Sequence, residues 1–141
     1  MNNKDIIKEY SKRLWDDKDL TAIDDVFVKD AVIHSPLNST TGTSTMKEVV
    51  EKWLHAFPDL DVEWEDFIAE GDKVVSRWRA KGTHMGSFFD TSPSHQEIDY
   101  SGVTIYTLDK KGKVIEYWAL VDMHAIISQL MKYESISEAL E

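Results

Sequence analysis

The chain has no cysteine, which excludes disulfides, thiolate nucleophiles and cysteine-based zinc sites and suits a reducing cytoplasm. It has no continuous apolar stretch long enough to span a bilayer. Its opening residues, MNNKDIIKEYSKRLWDD, alternate charge with isolated apolar positions where a signal peptide would carry an unbroken apolar core. A soluble, cytoplasmic protein is expected. Positive charge is in the minority: 16 Lys and Arg against 26 Asp and Glu leave a formal net charge of −10. Such a surface repels phosphate backbones and anionic lipid heads, so neither nucleic acid nor a membrane is an expected partner. Gly-rich phosphate cradles, His-Glu-x-x-His motifs and paired-histidine helices are missing as well, and no metal site is expected from spacing.

What is present is an ordinary globular supply of apolar residues, 42% of 141, with five Trp, five Tyr and five Phe. A chain of this length buries roughly 70% of the surface its unfolded form exposes. Ile6, Ile7, Tyr10 and Leu14 fall at helical spacing and predict a helix from about Asn3 to Asp17. A second short helix is expected near Leu20 to Phe27, then a brief strand over AVIHSP and a loop over LNSTTGTST. Thr45 and Glu48 have the spacing of a capping box and predict the start of a third helix. Its apolar face would be Met46, Val49, Val50, Trp53, Leu54 and Phe57, and Pro58 would end it.

Beyond Pro58 the period changes to alternation. LDVEWEDFIAEG, KVVSRWRAKGTHMG, EIDYSGVTIYTLD and KVIEYWALVD read as four strands in an antiparallel meander. A last helix opens at Asp122 with Met123, Ile126, Ile127 and Leu130 on one face. Helices first and a consecutive sheet second predict an α+β fold with the helices on one side of the sheet. No repeat or linker divides the chain. We expect one domain over 1–141, with a core of about 3–131 and a tail of 132–141.

The ordered series Phe57-Pro58-Asp59, Gly82-Thr83-His84, Gly112-Lys113-Val114-Ile115 and Trp118 to Asp122 resembles the SnoaL-like polyketide and ester cyclases, and the resemblance covers nearly the whole chain. That family belongs to the nuclear transport factor 2-like superfamily. The resemblance implies a cone-shaped curved antiparallel sheet (a cystatin-like roll) with the N-terminal helices packed over its concave face. It further implies a cofactor-independent aldol-type cyclisation or isomerisation of a small apolar or aromatic carbonyl compound, with an aspartate as base, and pairing into a homodimer through the other face of the sheet. Asp90 stands where similar sequences carry Gly, and His95-Gln96 where they carry Gly-Lys, so the substrate is not transferred.

Among individual residues, Asp122 matches the family's catalytic aspartate. Alternation puts it on one strand face with Glu116, Trp118 and Leu120. A carboxylate walled by aromatics becomes a stronger base, yet Asp122 is equally placed to cap the last helix. His84 and His34 are the candidates to stabilise an enolate. Trp118, Tyr100, Tyr106, Trp53, Trp78 and Phe88 are the expected substrate walls, with Trp64 beside them, because aromatic stacking selects planar ligands. Arg77 and Arg79 are expected to pair with Glu63 or Glu65 on a neighbouring strand. Two readings stay open alongside the cyclase: a non-catalytic protein that binds a small ligand, and a hydrolase in which the same aspartate activates water.

Overall fold

The computed structural model describes residues 1–37 and 39–140. Asn38 of the expected loop, Glu141 at the end of the tail, and the side chains of 39, 40 and 132–140 lie outside the description. The elements run α1 (Asn3–Ser11), a π-helical turn (Lys12–Asp16), α2 (Thr21–Val26), β1 (Phe27–His34), β2 (Ser39–Thr41), α3 (Thr43–Ala56), β3 (Asp61–Glu70), β4 (Lys73–Thr83), β5 (Glu97–Leu108), β6 (Val114–Val121) and α4 (Met123–Leu140).

Local chemistry explains the boundaries. Asn2 caps α1, its side-chain oxygen accepting from the Asp5 N–H at 2.8 Å. In the π-helical turn the hydrogen bond from Asp17 N to Lys12 O, 3.1 Å long, spans one residue more than an α-helical turn. Two expectations need correction. Phe27 does not end the second helix but opens β1, its backbone already extended at φ −92° and ψ 143°. The capping box does not start α3. The helix begins at Thr43 after Gly42, whose φ of 105° lets the chain turn in earlier. Thr45 therefore lies within the first turn, its hydroxyl donating to Thr41 O at 3.0 Å. The tail continues α4 as helix to Leu140.

The sheet has the order β2-β1-β6-β5-β4-β3. β3 to β6 form the expected antiparallel meander, and β1 adds to it as a parallel neighbour of β6, a pairing that the local pattern did not show. On one face of the sheet the helices supply Ile7, Tyr10, Leu14, Ile23, Met46 and Val50, which close over Tyr106, Leu108, Val114 and Tyr117. A second cluster gathers Val49, Trp53, Phe57 and Ile126 around Ile98 and Tyr100. A β-bulge in β3 sets both Glu65 and Asp66 against Arg77. It reverses the parity of the strand, so that Trp64, opposite Trp78, and Phe67, opposite Ser76, share the inner face. Arg77 pairs with Glu65 and Asp66 on the outer face, and Arg79 reaches Asp99 at 3.4 Å and Glu65 at 3.9 Å.

Candidate functional site

Between the helices and the inner face of the sheet lies a cavity of about 50 Å³. Its walls include four tryptophans (Trp15, Trp53, Trp64, Trp78) and three tyrosines (Tyr100, Tyr106, Tyr117), with Ser76 and Thr104 as further hydroxyls and aliphatic residues filling the rest. Among the described residues, no Asp, Glu, His, Lys or Arg lines it. Three of the tryptophan walls have an identifiable support. Trp78 lies against the bare backbone of Gly102, where an added Cβ would come within 2.5 Å of its Cζ2, and its Nε1–H donates to Thr104 Oγ1 at 3.0 Å. Trp53 on α3 stacks on Tyr100, ring centroids 5.4 Å apart at 23°. Trp15 arrives through the π-helical turn, whose extra residue shifts the side chains that follow it around the helix axis. Burial pushes the phenols of Tyr100, Tyr106 and Tyr117 above the ordinary tyrosine value, so they remain neutral hydrogen-bonding groups at physiological pH.

Of the residues singled out from sequence, Trp53, Trp78, Tyr100, Tyr106 and Trp64 line this cavity. Phe88 does not. It is buried behind Trp53, ring centroids 5.3 Å apart, and borders an outer groove of about 560 Å³ with Phe89, His55 and Lys52. Trp118 is corrected outright. The pairing of β6 with β5 sets Tyr117 opposite Tyr106 and Ala119 opposite Thr104, so Glu116, Trp118 and Leu120 face away from the helices. Trp118 is 42% exposed there, stacked on His34 with ring centroids 3.6 Å apart. His34 thus also lies on the outer face, its Nε2 3.2 Å from Glu116 Oε2.

Asp122 is not a cavity wall. It follows Val121, which is, and caps α4, with Oδ1 accepting from Ala125 N at 3.0 Å and its own N–H donating to Ser101 O at 2.9 Å. His84 is fully buried but packs on Phe57, outside the cavity. Its Nδ1 accepts the Ser94 N–H at 3.2 Å and lies 3.0 Å from Ser94 Oγ. Burial pushes the imidazole below its ordinary value, so the ring is a neutral clamp on the loop that returns from Gly86 to Gln96. His34, His84 and Asp122 are not brought together, and no group of three or more acidic or histidine side chains among the described residues could hold a metal.

The motifs that carry the sequence resemblance hold the fold. Asp59 accepts from Thr83 N and Thr83 Oγ1, both at 2.7 Å, and a Cβ on Gly82 would come within 2.8 Å of Phe57 Cβ. The segment that ends α3 therefore packs directly on the end of β4. Sequence reasoning missed Trp15, Tyr117, Ser76 and Thr104. For Tyr117 a signal existed: Glu116 shares parity with Trp118, and a carboxylate on that face argues that the face is solvated.

The SnoaL-like polyketide cyclase family matches residues 5–130. Among solved structures, the chain is similar to AclR of Streptomyces galilaeus, described as a proposed hydroxylase, at 30% identity and a TM-score of 0.80, covering 92% of this chain and 96% of that one. It is similar at 28% identity and a TM-score of 0.74 to a SnoaL-like polyketide cyclase of Jannaschia sp. CCS1, covering 85% and 88% of the two chains. The fold is shared with IdmH of Streptomyces antibioticus, a proposed polyketide cyclase, at 22% identity and a TM-score of 0.77, covering 92% and 99%. No curated protein matches. With a helix-covered sheet, an interior cavity and a family match over almost its full length, the chain belongs to the SnoaL-like polyketide cyclases of the nuclear transport factor 2-like fold.

Proposed function

We propose that this protein binds a small, neutral, flat carbonyl compound in its aromatic cavity. The observation that carries the reading is the composition of the walls: seven aromatic side chains and, among the described residues, no ionised group. A carboxylate or phosphate entering there would lose its hydration without gaining a counter-charge, against a net charge of −10. Flat apolar bodies stack on Trp53, Trp78 and Tyr100, and neutral hydroxyls meet one polar atom. The free volume of about 50 Å³ is below the roughly 150 Å³ that accommodates a benzene, so the half-buried walls, Trp15, Val62, Trp64, Trp78 and Val121, are those with room to yield on entry. Titration of ¹⁵N-labelled protein with 1-indanone and with indane-1-carboxylate tests this. The ketone should shift amides around the cavity and the carboxylate should not; equal binding, or none, sinks the reading.

A catalytic reading stands beside it, favoured by the family and by Asp122 following a cavity-wall residue directly. Asp122 would take an acidic C–H proton in an aldol-type closure or isomerisation without a cofactor, or would activate water in a hydrolase variant. His84 and His34 serve this reading poorly, one clamped in a loop and the other on the outer face. The relatives named above differ in described activity, hydroxylase and cyclase, and a fold by itself fixes neither. Proton–deuterium exchange of an acidic β-keto ester separates the two readings. Acceleration by the wild type that is lost in Asp122→Asn, a substitution that keeps a helix cap, supports catalysis, and no acceleration removes it.

We also propose that the protein works as a cytoplasmic homodimer. On the outer face the β3–β4 half is covered by ion pairs, while Val32, Trp118 and Leu120 remain exposed beside half-buried Val103 and Ile105. An apolar patch with a charged border suits a second copy of the same surface. Sedimentation that stays monomeric at high concentration overturns it.

A further inference from the structure

Two of the hydroxyls on the cavity wall are immediate neighbours. Ser76 on β4 and Thr104 on β5 both line the cavity and are direct register partners. Their Cβ atoms are therefore on the order of 5 Å apart on one face of the sheet, close enough for a single ligand atom to reach both side chains. Both residues are buried, Ser76 at 1% exposure and Thr104 at 5%. The register positions that flank the pair are apolar, Phe67 on β3 and Ala119 on β6. One step along the strands on either side lie the row Trp64, Trp78, Gly102, Val121 and the row Val74, Tyr106, Tyr117. Trp78 sets the direction of the pair: held against the bare backbone of Gly102, it donates its Nε1–H to Thr104 Oγ1 at 3.0 Å. The indole occupies a lone pair of that oxygen, which leaves the Thr104 O–H to be donated. Among the described residues neither that O–H nor the Ser76 hydroxyl has an acceptor.

A buried O–H without an acceptor is a net destabilisation, and apolar side chains of similar size would fill both positions without it. The two hydroxyls are accounted for by a partner that arrives in the cavity itself, because both residues open onto it. Two O–H donors side by side, with no counter-charge, suit one neutral acceptor oxygen whose two lone pairs they can share. Building on the proposed ligand-binding role of the cavity, we propose that Ser76 and Thr104, oriented by Trp78, hold the carbonyl oxygen of a neutral ketone or ester whose flat body lies against the tryptophans. The pair fixes which end of the ligand meets the β4–β5 strands, and it selects ketones over hydrocarbons of the same shape.

Binding of 1-indanone labelled with ¹³C at the carbonyl, with indane as its hydrocarbon counterpart, tests the anchor. On the wild type the bound carbonyl carbon should resonate downfield of its position in cyclohexane, the direction a donated hydrogen bond produces. Ser76→Ala and Thr104→Val should each weaken 1-indanone about tenfold, the order expected for one lost hydrogen bond. Each should also return the carbonyl resonance part of the way and leave indane unchanged. Thr104→Ser keeps the hydroxyl and should bind as the wild type does; an equal loss there assigns the effect to packing and overturns the role of Thr104. A bound carbonyl that resonates as in cyclohexane overturns the anchor, and so does undiminished 1-indanone binding by both hydroxyl-deleting variants. Thr104→Val leaves the Trp78 N–H without its acceptor, so if that variant does not fold, Ser76→Ala decides alone. If the wild type binds indane as tightly as 1-indanone, the anchor fails and the cavity reading survives. If it binds neither, the cavity reading fails and takes the anchor with it.

Discussion

The two faces of β6 carry almost equal apolar content and do different work. Tyr117, Ala119 and Val121 face the helices and build cavity wall, while Glu116, Trp118 and Leu120 look outward. Tyr117 is 5% exposed and touches the rings of Phe27 and Tyr106, whereas Trp118 is 42% exposed and has His34 stacked on it. An aromatic residue on this strand is therefore not informative by type. Its value depends on parity, which is set by the pairing of β6 with β5 and β1.

The comparison can be broken by substitution. Tyr117→Ala should destabilise the fold by about 3–5 kcal/mol, the cost of truncating a large buried aromatic, and Trp118→Ala by about 1 kcal/mol or less, as for surface changes. Urea unfolding of the two variants decides it, and similar losses would mean that both faces are core. Gly102→Ala is expected to cost about 1–3 kcal/mol as overpacking, since the new Cβ would stand 2.5 Å from both Leu120 O and Trp78 Cζ2. Displacement of Trp78 should change tryptophan emission, and an unchanged spectrum would show that the indole does not depend on Gly102.

The smallest effect is a pH dependence from the other end of the cavity-side core. His84 is buried neutral, with its value lowered by burial and, more weakly, by His95. A lowered folded-state value means that its contribution is complete above the unfolded histidine value of about 6.5 and is lost as pH falls through the lowered native one. Thermal stability should decline over that acidic interval. His84→Phe should flatten the decline, and an identical slope in the variant would assign it to other groups.

Much of the fold was legible. Helical spacing in α1 and α3, the change to alternation after Pro58 and the glycine-marked turns gave the element order, and the resemblance gave the sheet its helical cover. The site was legible in part. Trp53, Trp78, Tyr100 and Tyr106 sit where a strand or helix has one apolar and one polar face, so periodicity points them inward. Trp118 misled because Tyr117 and Ala119 beside it in the chain and Leu120 on its own face are apolar, leaving Glu116 as the single contrary sign, and Asp122 because a carboxylate at a strand end that begins a helix satisfies a cap as well as a pocket. Trp15 was hidden by the π-helical turn, which departs from the 3.6-residue period on which helix faces are judged.

The sequence by itself determined the α+β order, the uncharged aromatic supply and the acidic surface, because composition and local period are properties of neighbours along the chain. The tertiary structure alone decided which face of β6 meets the helices and that His34 and Trp118 share the outer side. Those outcomes depend on strand register and on helix docking between residues far apart in the chain, and a one-residue change of register would exchange every wall of the cavity for solvent.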